Sequence, residues 1–490
     1  EDAQLGCDAV TLVGVNNQGG GAGAGAGSSC VVVVLGDLGR SPRMQFHTLS
    51  LVEQAKMKTV HVVAYHKTQP HASLLHNDKI KIHNIPQFDL PDQLKSIIPK
   101  PLVLVLKAIF QVLILLQILV FLPRTKFILL QTPPSIPTFV VCKLVSLLKR
   151  SKLVIDWHNF GYTILALSVG GGSVGNLMVR AAEWYERMFG KFGDEHLCVT
   201  KAMKRELESN WGVKRAHVLY DRAPQFFQPH LSPEELHSLF VKLQDDFCAP
   251  MHLGDCCLLP RECDDTTGGG GGTRNAKTLF TESVRQGGKT TIAHLASRPA
   301  LVVSSTSWTP DEDFGILLKA AKLYDDMTHD LDTYPRLLFV ITGKGPMKEE
   351  YREKMSRMKF RKVAFRLLWL TAEDYPRLVS AADLGVSLHV SSSGFDLPMK
   401  VVDMFGCGVP ACSAKYSCVG ELVQNNKNGM LFKDAEELAE QLKLLFHNFP
   451  EANSRMKKLK AGASASSKLR WTDEWANVGL QIFTEKGKEA

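Results

Sequence analysis

Lys400 and Asp403 stand three residues apart in SSSGFDLPMKVVDMFGCGVPACS, residues 391 to 413. Pro398 suits a first helical turn, and Gly406, Gly408 and Pro410 end the helix soon after. The open N-terminus of such a short helix holds an anion, and residues three apart share one face. A cation for phosphate and a carboxylate for ribose hydroxyls on that face are the equipment of a nucleotide-sugar pocket.

Other loops offer matching chemistry. In TGKGP (342–346) Gly343 lets the backbone approach a phosphate and Lys344 adds charge. SSTSW (304–308) offers Ser305 in the same way. IDWHNFGY (155–162) places Asp156, His158 and Asn159 directly after an apolar run, where a histidine serves as general base and a neighbouring acid orients it. A packed histidine satisfied by backbone is the competing reading. GDLGRSPR (36–43) lacks the third glycine and the downstream acid of a dinucleotide fingerprint. Gly36 and Gly39 with Arg40 and Arg43 then read either as a diphosphate loop or as a tight turn with solvated arginines. QGGKTT (286–291) lacks the first glycine of a phosphate loop and a strand before it, and reads as loop.

These loops need strands to present them. CVVVVLGDLG opens at Cys30 as a buried parallel strand followed by a glycine turn. TVHVVAY (59–65), KIKIHNI (79–85), KFILLQTPP (126–134) and SKLVIDWHN (151–159) continue one series of strands. A second series runs through 299–308, 335–345, 362–370 and 382–390. Helical stretches alternate with both, which predicts an α/β chain of two facing Rossmann-like domains with ligands at the strand ends lining the cleft. The expected division is a flexible Gly/Ala-rich tail at 1–29, a first domain at 30–235, a linker or mobile insertion at 236–295, a second domain at 296–465 and a terminal helix at 466–490. Residues 101–123 are almost continuously apolar and long enough to span a bilayer, but Lys107, Gln111 and Gln117 interrupt them. An amphipathic helix lying in a membrane interface is expected there, with a core helix and a span as alternatives.

Composition narrows the class. The chain has 490 residues, too many for one compact domain, and a net charge of +8, compatible with an anionic membrane or a phosphorylated substrate. That excess is too mild for nucleic acid, and no basic run interleaved with aromatics supports it. Eleven cysteines without paired spacing read as reduced thiols. Even the densest group, Cys256, Cys257 and Cys263, has no matching ligand pair for zinc.

Five blocks in order, LGDLGRSPRMQFHTLSL, KLVIDWHNFGYTI, LVVSSTSWTPDEDFGILL, VITGKGPMKEEY and SSSGFDLPMKVVDMFGCGVP, resemble glycosyltransferases of the B fold. They resemble in particular the family of the dolichol-linked N-glycan precursor pathway, and the likeness runs from about residue 31 to the C-terminus. It implies an inverting β-1,4-mannosyltransferase that moves mannose from GDP-mannose to the 4-hydroxyl of the terminal GlcNAc of GlcNAc2-diphosphodolichol. It implies work at the endoplasmic reticulum membrane with the catalytic domains facing the cytosol, with membrane lipid and other enzymes of the pathway as partners. In that reading His158, helped by Asp156, is the base, with Asp37 or Glu312 as alternatives. Ser305, Gly343, Lys344, Lys400 and Asp403 hold the donor, and Gly36, Gly39, Arg40 and Arg43 hold the acceptor diphosphate. No metal or cofactor is required, because lysines and helix dipoles supply the charge. The family usually begins with a membrane anchor where this chain has its Gly/Ala tail, which leaves attachment to 101–123. In this fold a helix such as 469–485 crosses back to the first domain, though a plain terminal core helix reads the same. Rival readings are a non-catalytic membrane scaffold on the same fold and a related transferase using another sugar.

Overall fold

The computed structural model describes residues 28–88, 100–169, 172–249, 277–286 and 289–484. The Gly/Ala-rich tail to residue 27, the cysteines at 256, 257 and 263 and the glycine run at 268–272 lie outside them.

The apolar run from Cys30 forms the middle of β1 (Ser29–Asp37). With β2 (Thr59–Tyr65), β3 (Ile80–Asn84), β4 (Phe127–Thr132), β5 (Lys152–Trp157), β6 (Glu195–Cys198) and β7 (Ala216–Val218) it builds a seven-stranded sheet. The order is β3-β2-β1-β4-β5-β6-β7 and neighbours are parallel. The central strands β1, β4 and β5 are largely apolar because helices cover both faces. Helix α1 (Pro42–Glu53) packs Met44 and Leu51 on one face. On the other lie α2 (Lys100–Phe121), α3 (Thr138–Lys149), α4 (Gly161–Val169), α5 (Ser173–Phe189) and α6 (Lys201–Asn210). Leu115 of α2, Val141 of α3 and Met203 of α6 share one core there, and Tyr185 of α5 stacks on Phe139.

Helix α2 buries Leu115 and Leu119 one turn apart, and its Gln111 amide donates to the Tyr65 hydroxyl at 3.1 Å. Its opposite side leaves Leu113 and Phe121 exposed. Among the described residues no helix is long and apolar enough to cross a membrane.

Part of the stretch expected as linker is core instead. Phe240 of α7 (Pro233–Lys242), Phe247 and Phe280 pack with Leu338, Val340 and Ala364 of the second domain. The loop expected at 286–291 is also corrected: β8 (Thr281–Gln286) and β9 (Lys289–His294) pair antiparallel, with Gln286 opposite Lys289. The β-branched residues Thr281, Val284, Thr290, Thr291 and Ile292 favour that pairing.

The second sheet comprises β10 (Ala300–Ser305), β11 (Leu337–Thr342), β12 (Val363–Leu368), β13 (Leu384–Ser387), β14 (Ala411–Ala414) and β15 (Gly429–Phe432). Its order is β12-β11-β10-β13-β14-β15 with parallel neighbours. Strand order reverses between β1 and β4 and between β10 and β13, and such reversals open a crevice at the C-terminal strand ends. Helix α8 (Met399–Gly406) starts at the crevice of the second sheet. Helix α9 (Trp471–Asn477) returns to the first domain, where Trp471 and Trp475 donate to Ser50 and His47 of α1, each at 3.0 Å.

Candidate active site

Strand β5 runs apolar from Leu153 and delivers Asp156 and His158 to its C-terminal end. Asp156 is wholly buried and accepts from Arg43 and His158, with His47 close beside it. The Arg43 guanidinium reaches it twice, at 2.9 and 2.8 Å, His158 Nε2 at 2.7 Å, and His47 Nε2 lies 3.2 Å away. Burial alone pushes the Asp156 carboxyl up, but Arg43, His158 and His47 hold it well below the usual carboxylate range. The hydrogen bond to Asp156 fixes the proton of His158 on Nε2 and leaves Nδ1 as acceptor, 3.3 Å from the Gln131 amide. Trp475 in turn donates to His47 Nδ1, which aims His47 Nε2 at Asp156.

This arrangement corrects the role expected of Arg43. Its side chain is 4% exposed, and its guanidinium also donates to Asp221 at 2.8 Å and to the Leu219 carbonyl at 2.9 Å. The helical phase set by Pro42 puts Arg43 and His47 one turn apart on the inner side of α1, where Arg43 is held by Asp156 and Asp221. Arg40 is different: its side chain is 75% exposed and only 3.9 Å from Asp37. Gly36 is the penultimate residue of β1, and Gly39 lies under Thr68, whose carbonyl oxygen a Cβ would strike. Asp37 is occupied structurally, accepting from the amides of Lys67 (3.0 Å) and Thr68 (3.1 Å) and from the Thr68 hydroxyl. Burial raises its carboxyl, and those bonds outweigh that and lower it, which leaves it a poor base.

In the second domain three loops lock together. Gly343, at φ +138°, and Gly345 pass so close to Thr306 and Ser307 that a Cβ at either would land on a carbonyl oxygen. Lys400, in the first turn of α8, pairs with Glu312 and donates to Ser307 Oγ at 3.3 Å. Glu312 also accepts from the Thr306 hydroxyl and from the Ser307 amide at 2.7 Å. Ser305 bonds the Tyr375 hydroxyl at 3.0 Å, and Tyr375 donates to Asp403 at 3.2 Å. Burial pushes the Asp403 carboxyl up to about 7, with Asp221 adding to the rise against Tyr375 and Lys400. The Lys344 ammonium lies 3.9 Å over the Trp369 ring. The structure therefore joins Ser305 to Asp403 through Tyr375, and Lys400 through Glu312 to the 306–307 turn that Gly343 packs against, with Lys344 beside them on an aromatic support.

The two sides meet. Asn159 and Thr163, flanking the base candidate, each bond Ser392 Oγ at 3.2 Å, and Phe160 meets Phe395 edge to face at 5.6 Å. Tyr375, Gln131, His47 and Asp221 were not legible as site residues, since each reaches the site from a distant element. His389 was also missed. It is held between Asp311 (3.4 Å) and Asp396 (3.2 Å), and only the acids after SSTSW hinted at that clamp. Among the described residues no group of three His, Cys, Asp or Glu is placed to hold a metal ion.

Residues 298–448 match the family described as group 1 glycosyl transferases. "UDP-glycosyltransferase TURAN" of Arabidopsis thaliana is 48% identical over 93% of this chain and 97% of its own length. The mouse protein named chitobiosyldiphosphodolichol beta-mannosyltransferase is 42% identical over 92% of this chain and 88% of its own length. The human protein of the same name is 41% identical over 93% and 92%. Among solved structures, Anabaena HepE in complex with UDP and glucose superposes with a TM-score of 0.58 at 16% identity, covering 94% of this chain and all of that one. WaaG, a glycosyltransferase of lipopolysaccharide biosynthesis, reaches 0.52 at 11%, covering 93% and 99%. At those identities the likeness concerns the two-domain fold.

Proposed function

Because the chain belongs to the chitobiosyldiphosphodolichol β-mannosyltransferase family, B-fold glycosyltransferases of group 1, we propose that it transfers mannose from GDP-mannose to the 4-hydroxyl of the terminal GlcNAc of GlcNAc2-diphosphodolichol. The observation that supports this most is His158, oriented by Asp156 and flanked by residues bonded to the donor-side loop at Ser392. An α-linked donor and a β-linked product require a single inverting displacement with oxocarbenium-like character. The acceptor oxygen bonds to the anomeric carbon as the bond to the GDP oxygen breaks, and His158 Nδ1 takes the acceptor proton. Charge developing on the leaving diphosphate meets Lys400 and Lys344 at the start of α8 and in the Gly343 loop. Asp403 accepts from the ribose hydroxyls, and Arg40 with the turn at Gly36 and Gly39 faces the acceptor diphosphate. The charge for departure comes from lysines and a helix terminus, so the reading assigns no metal and no cofactor.

The acceptor lipid stays in a bilayer, so the first domain works at the endoplasmic reticulum membrane, on its cytosolic side, with α2 lying in the interface. A second reading has one specific support: the Arabidopsis relative carries the name of a UDP-glycosyltransferase. Titration calorimetry of the purified protein with GDP, GDP-mannose, UDP and UDP-glucose separates the two. GDP-mannose is expected to bind at least roughly tenfold tighter than the uridine nucleotides, a difference of about 1.4 kcal/mol. The reverse order keeps the fold and replaces the donor.

A further inference from the structure

The acceptor domain carries an apolar surface that its own fold leaves uncovered. Of 24 exposed large apolar side chains among the described residues, 17 fall between Leu102 and Phe192. They lie on the helices and connecting turns of one face of the first sheet, the face opposite α1 and α9. Helix α3 exposes Leu144, Leu147 and Leu148. Helix α5 exposes Val174, Leu177, Trp184 and Met188, which with Ala181 form one stripe at spacings of three and four, while Ala182 and Glu186 turn inward. Helix α4 has no buried residue. Patches of this extent on a folded domain mark a contact surface.

Charge identifies the occupant. Residues 102–192 carry ten Lys or Arg against three acids. Asp156 and Glu186 are buried, and Glu183 pairs with Arg187 at 2.9 Å, so every acid of the segment is internally engaged. Arg180 and Lys191 border the α5 stripe, and Trp184, 61% exposed, stands within it. An apolar stripe with an indole and a basic rim matches an anionic bilayer surface, where the ring takes the headgroup level and each cation meets lipid phosphate.

We propose that the outer face of α3 and α5, continuous with α2, docks on an anionic phospholipid surface. Helix α4 begins three residues after His158 and packs against α5, so docking brings the bilayer to the strand end that carries the base. This consequence rests on the lipid-acceptor reading; the docking itself does not.

The test is sedimentation of the full chain with vesicles of phosphatidylcholine alone and of phosphatidylcholine with phosphatidylserine. Two variants, L177S/W184S and R180E/K191E, are compared with the parent. The parent is expected to partition at least roughly tenfold more strongly onto the phosphatidylserine vesicles, and less so at high salt. Both variants should lose that preference while keeping the parent's melting temperature and its transfer rate to a short-chain, water-soluble acceptor. Equal sedimentation on both lipids, or variants that bind like the parent, overturns the proposal. So does a parent dimer that the variants dissociate in gel filtration, which assigns the face to a second copy of the chain. Vesicle binding without mannosyl transfer would sink the enzymatic reading and leave docking intact.

Discussion

Thr200, which caps α6, donates its hydroxyl across the cleft to the carbonyl oxygen of Phe395 at 2.7 Å. Ser392, three residues earlier, is bonded by Asn159 and Thr163. The 392–395 loop thus hangs on the strand end that presents His158. Ser392→Ala removes those two contacts and no proposed donor contact. Its kcat should fall about 5- to 100-fold, as two neutral hydrogen bonds worth about 0.5–1.5 kcal/mol each are lost, with GDP-mannose affinity unchanged in calorimetry. Weakened donor affinity with normal kcat would place Ser392 in the donor pocket instead.

His158→Ala should lower the single-turnover transfer rate by about 10²- to 10⁴-fold, the usual contribution of a general base, and leave GDP-mannose binding intact. Asp156→Asn should also lower the melting temperature, because Arg43 then loses one of two buried carboxylate partners. A His158→Ala enzyme within a few-fold of the parent rate would move the base elsewhere.

Asp403 predicts a pH dependence of donor binding. With its carboxyl pushed up to about 7 by burial, it takes a proton as pH falls through that value. A protonated acid accepts fewer hydroxyl hydrogen bonds. The donor KM should therefore rise as pH drops from 8 to 6 (about one pH unit either side of that value). Asp403→Asn should show a high KM that is flat over the same range, and a parent-like slope in that variant would exclude Asp403 as the titrating group.

His389 predicts a pH dependence of stability. Burial lowers its pKa, but Asp311 and Asp396 outweigh burial and push it up to about 9 from 6.5. A histidine raised on folding stabilises fully below its unfolded value, and that contribution is lost as pH rises through the folded one. The parent should lose on the order of 1–3 kcal/mol between about pH 6.5 and 9. Denaturant midpoints of His389→Gln should be lower at pH 6.5 and nearly level to pH 9; the same slope in both proteins would contradict the clamp.

The sequence exposed the frame of the site better than its wiring. TVHVVAY became a strand over the expected residues, because a β-branched apolar run between turns has one good solution. The face shared by Lys400 and Asp403 was legible from their spacing, but their partners were not. Lys400 pairs with Glu312, 88 residues away, and Asp403 bonds Tyr375, 28 residues away. Arg40 and Arg43 looked alike in one glycine loop. Only the start of α1 at Pro42 separates them, leaving one in solvent and burying the other on Asp156. The antiparallel pair β8 and β9 was not legible because QGGKTT, failing as a phosphate loop, reads as plain loop, and the strand on either side is only six residues long.

The most direct test of the account is transfer itself. The protein is incubated with GDP-[14C]mannose and a synthetic lipid-diphosphate chitobiose, and the product is treated with β-mannosidase. Label that moves to the lipid and is released by β-mannosidase is the predicted result, establishing donor, acceptor class and inversion together. Label that stays on the nucleotide while GDP-mannose binds, or that moves only from another nucleotide sugar, contradicts it.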